Sequence, residues 1–80
     1  MDDIQAKLST FITREILKQP KRTLTLDEAL LSSGLIDSFS LMDLSIFIEN
    51  TFGVRIDETE LNPDVFDTLS QLSSLIKSRQ

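Results

Sequence analysis

Between Asp37 and Gly53 the sequence spells out one complete helix with both of its ends. Asp37 and Ser38 are both residue types that cap helix starts, so the helix should begin there. Leu41, Leu44, Ile48 and Phe52 then recur at i, i+3, i+7 and i+11, one face of a helix and a candidate buried stripe. Gly53 is placed to stop it. Ahead of it lies Gly34, which can adopt backbone angles closed to other residues, in the stretch Gly34-Leu35-Ile36-Asp37-Ser38-Phe39. A serine at the positive end of a helix, beside an aspartate, is well suited to carry a phosphate ester.

The rest of the chain has to cover that stripe. Eighty residues predict a single domain spanning 1–80, with a small core and no disulfide to reinforce it, since cysteine is absent. Ile4, Leu8, Phe11, Ile12 and Ile16 lie on one face of a first helix over about residues 3–18. Asp2 or Asp3 can cap its start, Lys18 sits near its negative end, and Pro20 closes it. Residues 19–37 form a long connection. Thr23-Leu24-Thr25-Leu26 should run extended and tuck Leu24 or Leu26 onto the core, and Asp27–Leu31 can form a helical turn. Long loops within small domains are usually functional. After the central helix, Val54 or Ile56 should turn inward. Asp57 with Glu60 has capping-box spacing and predicts a short third helix stopped near Pro63. Val65 and Phe66 should supply core. Thr68-Leu69-Ser70-Gln71 is a further capping box, opening a last helix with Leu69, Leu72, Leu75 and Ile76 on one face. The expected fold is therefore all-α: a small four-helix bundle of three longer helices, one short third helix and a long first loop.

Charge and residue types exclude several functions. The chain carries a net charge of −5, unevenly spread: residues 1–22 hold a net +2, whereas residues 23–75 hold ten acids against Arg55 alone. The negative field suits basic protein partners and makes nucleic acid a poor one. No apolar run is long enough for a membrane helix, and no signal-peptide core is present, so no membrane insertion and a cytoplasmic location are expected. The absence of cysteine fits that reducing compartment. With neither histidine nor cysteine, the triads and the usual zinc sites cannot form. Asp57, Glu58 and Glu60 lack calcium-loop spacing and read as a solvated helix start. An enzyme is not expected.

The central helix is apolar on a second face as well. Phe39, Met42 and Ile46 fall at i, i+3 and i+7, away from the core stripe, flanked by Asp37, Asp43 and Glu49. So small a protein cannot bury both faces. The ridge reads as a partner-docking surface, although the first helix and the loop could cover part of it. Phe47 should be at least partly buried.

Gly34-Leu35-Ile36-Asp37-Ser38-Phe39, followed by a helix ending in Glu49-Asn50-Thr51-Phe52-Gly53-Val54, resembles the acyl carrier protein family. The resemblance covers the order of elements along the whole chain. It implies the acyl-carrier type of helical bundle. It further implies 4′-phosphopantetheine, taken from coenzyme A and attached to Ser38 beside Asp37, with an acyl or aminoacyl group held on the arm as a thioester. The implied partners are a phosphopantetheinyl transferase and the enzymes that load and transfer the cargo in fatty-acid, polyketide or related biosynthesis. Phe39, Met42, Asp43, Ile46 and Glu49 would meet them, and a monomer is expected. Phe39 stands where fatty-acid carriers usually have leucine, Asn50 where they often have an acid, and Ser40 and Ser45 replace commoner residues. Asp37-Ser38-Phe39, Ile48-Glu49-Asn50-Thr51-Phe52 and Asp64-Val65-Phe66-Asp67-Thr68 look like the D-alanyl carrier proteins of cell-wall modification. Two alternatives therefore accompany the acyl-carrier expectation: a D-alanyl or other aminoacyl carrier, and a non-carrier helical adaptor that binds through the central helix.

Overall fold

The computed structural model describes residues 2–80. Helix α1 spans Asp3–Phe11 and opens on a full capping box. The Asp2 carboxylate accepts from the Gln5 amide at 2.8 Å, and the Gln5 side chain accepts from the Asp2 amide at 3.1 Å. The same two residues reach the other end of the chain: Asp2 pairs with Lys77, and the Gln5 amide nitrogen meets the Ser73 hydroxyl at 3.2 Å. The predicted first helix thus begins where expected, but it does not end as expected. Beyond Phe11 the chain widens into a π turn over Ile12–Ile16, with Leu17 N–H bonding the Ile12 carbonyl at 2.9 Å. Thr13, buried in that turn, donates its hydroxyl to the Ser9 carbonyl at 2.9 Å and so competes for a helical acceptor. Lys18 then takes a left-handed φ of 57°, and Gln19 N–H folds back onto the Thr13 carbonyl at 2.7 Å. Lys18 lies outside the helix and terminates it two residues before Pro20.

The long connection runs extended and then turns. Both Leu24 and Leu26 face inward, Leu24 completely. The helical turn expected at 27–31 does not form, because the backbone there bonds to a distant segment. The Leu30 amide donates to the Asp67 carbonyl at 2.7 Å, and the Asp67 carboxylate takes the Leu31 and Ser32 amides at 2.7 and 2.9 Å. The Ser32 hydroxyl donates to the second carboxylate oxygen at 2.5 Å. The turn instead closes at Leu31–Gly34, where Gly34 N–H bonds the Leu31 carbonyl at 3.1 Å and Gly34 takes a φ of 81°. Leu30 and Ile36 are buried on either side of this turn.

Helix α2 occupies Ser38–Phe52, with Asp37 as its cap and Gly53, at φ 69°, as its stop. Leu41, Leu44 and Ile48 are the buried stripe. Val54 and Ile56 both turn inward. The expected short third helix is a single 3-10 turn, Glu58–Glu60, opened by the Asp57 and Glu60 capping box and held from outside by an ion pair between Glu60 and Arg79. Phe66 is fully buried, whereas Val65 is exposed. Helix α3, Leu69–Arg79, starts at Thr68. The second capping box forms by half: Thr68 accepts from the Gln71 amide at 3.1 Å, but the Gln71 side chain bonds the amide of Asp67 at 2.7 Å. Gln71 thereby steadies the residue that pins the first loop.

Among the described residues fourteen hydrophobic side chains make one core, including Leu8, Ile12, Leu24, Leu44, Phe66, Leu72 and Ile76. No buried side-chain polar atom lacks a partner among the described residues. The fold is all-α, with three helices and a 3-10 turn, and its long loop is tied down just before Asp37 and Ser38.

Candidate functional site

The loop delivers Ser38 to the surface at the start of α2. Asp37 holds that start in place, its carboxylate accepting from the Ser40 amide at 2.8 Å. Hydrogen bonds from the Ser40 amide and then from its hydroxyl, with a smaller contribution from the Phe39 amide, hold the Asp37 carboxyl below the usual carboxylate range. Capping is therefore the work of Asp37. Ser38 is the first helical residue, is exposed, and its hydroxyl has no hydrogen-bond partner among the described residues. Asp37 takes the Ser40 amide, and the positive end of the helix dipole favours an anion attached at this position.

A groove of 360 Å³ lies against Ser38, lined by Ser38, Phe39, Leu41 and Met42 from α2 and by Glu58 and Leu61 from the 3-10 segment. Glu58 and Leu61 were not legible as site residues, since only folding brings them beside Ser38. The capping-box spacing of Asp57 and Glu60 marked the turn but gave no sign of what it faces. Arg79 fixes this turn: its guanidinium grips the Glu60 carboxylate and donates to the Arg55 carbonyl at 3.3 Å. The same contact holds the Glu60 carboxyl down to about 2.

The second apolar face of α2 is open. Phe39 is 82% exposed, Met42 57% and Ile46 54%. Asp43 and Glu49 are exposed alongside it. All three stay more than half exposed, and the end of the first helix borders the face at Ile46, through Phe11, Glu15 and Ile16. The first helix packs beside them through Phe47, which stacks on Phe11 with ring centroids 4.2 Å apart. Phe47 is half-buried, as its position suggested.

Among the described residues no cluster of acids could hold a metal ion, and no helix is long and apolar enough to cross a membrane. Residues 10–76 match the family described as phosphopantetheine attachment site. This chain belongs to the phosphopantetheine-binding carrier proteins. Among curated relatives it is similar to the D-alanyl carrier protein of Bacillus subtilis (strain 168), 38% identical over 53 residues that cover 61% of this chain and 68% of that protein. It is also similar to the D-alanyl carrier protein of Bacillus pumilus (strain SAFR-032), 36% identical over 45 residues. That second match covers 56% of this chain and 58% of the relative, so the alignment spans less than two thirds of that protein's length. Membership implies a covalent 4′-phosphopantetheine. The carrier has room for it: a free serine hydroxyl at the helix start and a groove with an apolar wall. Carriers of this family work with a phosphopantetheinyl transferase and with loading and transferring enzymes.

Proposed function

We propose that Ser38 Oγ is the point at which 4′-phosphopantetheine is attached. The observation that carries this reading is the exposed Ser38 hydroxyl, with no protein partner, at the capped start of α2. In the loading step Ser38 Oγ forms the new P–O bond to the pantetheine-bearing phosphorus of coenzyme A. The P–O bond to the nucleotide breaks, and adenosine 3′,5′-bisphosphate leaves. The base that takes the hydroxyl proton comes from the transferase, because this chain has no histidine or cysteine to act in that role. Asp37 is occupied as the cap and orients the helix start. Once bound, the arm supplies a terminal thiol on which cargo is held as a thioester.

The cargo we favour is an aminoacyl group, D-alanine first. The relatives named D-alanyl carrier proteins support it, as do Phe39 and Asn50, where fatty-acid carriers differ. Phe39, Met42 and Ile46, with Asp43 and Glu49 beside them, form the ridge that partner enzymes meet, and the carrier itself makes and breaks no bonds. The test is intact-protein mass after incubation with coenzyme A and a promiscuous phosphopantetheinyl transferase. The parent gains one phosphopantetheinyl group and Ser38→Ala gains none. Loading of the alanine variant would move the attachment elsewhere, and binding of partners by an unmodifiable chain would favour the adaptor. Cargo is read next, by offering the loaded carrier to an ATP-dependent D-alanine ligase beside a fatty-acyl ligase.

A further inference from the structure

The end of α1 is built unusually for a helix that only has to cover a core. It widens into the π turn Ile12–Ile16 and finishes on Lys18 at a φ of 57°. Left-handed backbone is strained for a side chain as long as lysine, and glycine is the common choice at such a helix end. Strain of this kind concentrates at recognition sites, and π turns are frequent there. The lysine is also uncommitted. A cavity of 350 Å³ is lined by Phe11, Glu15, Ile16, Lys18, Asp43 and Ile46, yet Lys18 pairs with neither Glu15 nor Asp43. Arg14 and Lys21, its neighbours in the chain, likewise have no ion-pair partner among the described residues.

This corner is continuous with the α2 ridge through Ile46 and Asp43, and it adds a cation there. The ridge offers Asp37, Asp43 and Glu49; the corner sets Lys18 beside Glu15 and Asp43, on a chain segment, residues 14–22, that holds Arg14, Lys18, Lys21 and Arg22 against Glu15 alone. One kind of partner must cover both. Enzymes that act on the cargo reach it through the arm, whereas the enzyme that installs the arm has to touch Ser38 Oγ itself. A standard interface covers about 800 Å² per partner, a patch of radius about 16 Å. Ile46 lies eight residues along α2 from Ser38, roughly 12 Å at the helical rise. Ile46, where the corner begins, therefore falls inside the footprint of an enzyme centred on Ser38, and Lys18 lines the same cavity as Ile46.

Resting on the reading of Ser38 as the attachment point, we propose that Lys18, held left-handed at the π-helical end of α1, is a cationic contact for an acidic segment of the phosphopantetheinyl transferase that loads this carrier. The transferase then meets a footprint of two signs: its cations face α2 and its carboxylates face Lys18. A footprint that is negative on one side and positive on the other fixes how the enzyme sits, which a uniformly acidic ridge cannot do.

The position permits a test in which stability and recognition move in opposite directions. Lys18→Gly removes the charge and relieves the left-handed strain, and Lys18→Asn removes the charge in a residue that also tolerates that conformation. With a purified phosphopantetheinyl transferase and coenzyme A, loading of the parent and both variants is followed by intact mass at low and high salt, and Tm is measured alongside. Lys18→Gly should raise Tm while lowering kcat/KM roughly twofold to fivefold at low salt, the range of one exposed ion pair. The loss should lie in KM, be shared by Lys18→Asn, and shrink at high salt as the parent's advantage is screened. Unchanged or faster loading of both variants overturns the proposal, and so does a loss that ignores salt, which would give Lys18 a purely structural role. Failure of the parent itself to be loaded overturns the reading of Ser38 instead, and is distinguishable because no variant comparison is then needed.

Discussion

Helix α2 has two apolar faces of similar length and opposite fate. Leu41, Leu44 and Ile48 are shut into the core, where the loop residues Leu24, Leu30 and Ile36 also lie, while Phe39, Met42 and Ile46 stand in solvent on the same fifteen-residue element. By hydrophobicity alone the two sets could trade places. What separates them is what shares their side: the core residues of α1, α3, Phe66 and the first loop lie with Leu41, Leu44 and Ile48. Asp67 fastens that loop at Leu30, Leu31 and Ser32. The fold thus spends one face of α2 on stability and leaves the second in solvent, with Ser38 at the shared end.

That division can be broken by truncating each face in turn. Leu44→Ala should have the largest effect on stability. The side chain is fully buried, and such truncations cost about 2–5 kcal/mol, a large part of the ~5–15 kcal/mol available to a small domain. Urea titration followed by circular dichroism should show a much lower midpoint, or no folded baseline. Glu60→Gln tests the turn that borders the ridge. Arg79 holds the Glu60 carboxyl down to about 2 from an ordinary 4.5. A lowered pKa stabilises the folded state above the ordinary value and is lost as pH falls through the folded one. The variant should therefore melt slightly below the parent at neutral pH, and the two curves should converge between pH 4.5 and 2. A gap that persists at the acid end would mean the ion pair is not its source. Phe39→Ala should have the smallest effect on stability, within about 0.5 kcal/mol, since the ring is 82% exposed. It should still slow partner reactions. If it unfolded the protein as Leu44→Ala does, the two faces would not be divided as described.

Elements whose signals are local were legible in the sequence. Asp37 and Gly53 bracket α2 at its observed ends, Asp57 and Glu60 form their box, and Phe39, Met42 and Ile46 are exposed as their spacing implied. One miss has a non-local cause. Asp27–Leu31 has a plausible helix start, but its neighbouring amides go to Asp67, more than thirty residues away. Gln71 is a local miss: its side chain takes the Asp67 amide, one residue short of the expected Thr68 amide. The π turn accompanies a buried Thr13 whose hydroxyl takes the Ser9 carbonyl, and a lysine in left-handed backbone has no composition signal at all. Ser38 stands at the helix start that the sequence marked. The groove beside it was not legible, because Glu58 and Leu61 come from a segment about twenty residues further along the chain.

The most direct test of the central claim is the mass of the parent and of Ser38→Ala after treatment with coenzyme A and a phosphopantetheinyl transferase, on samples shown to be folded. Asp37, not Ser38, caps α2, so the variant should melt like the parent and isolate the chemistry from the fold. One added phosphopantetheinyl group in the parent and none in the variant is the predicted result. An equal mass gain in both would contradict the account by placing the arm on another residue.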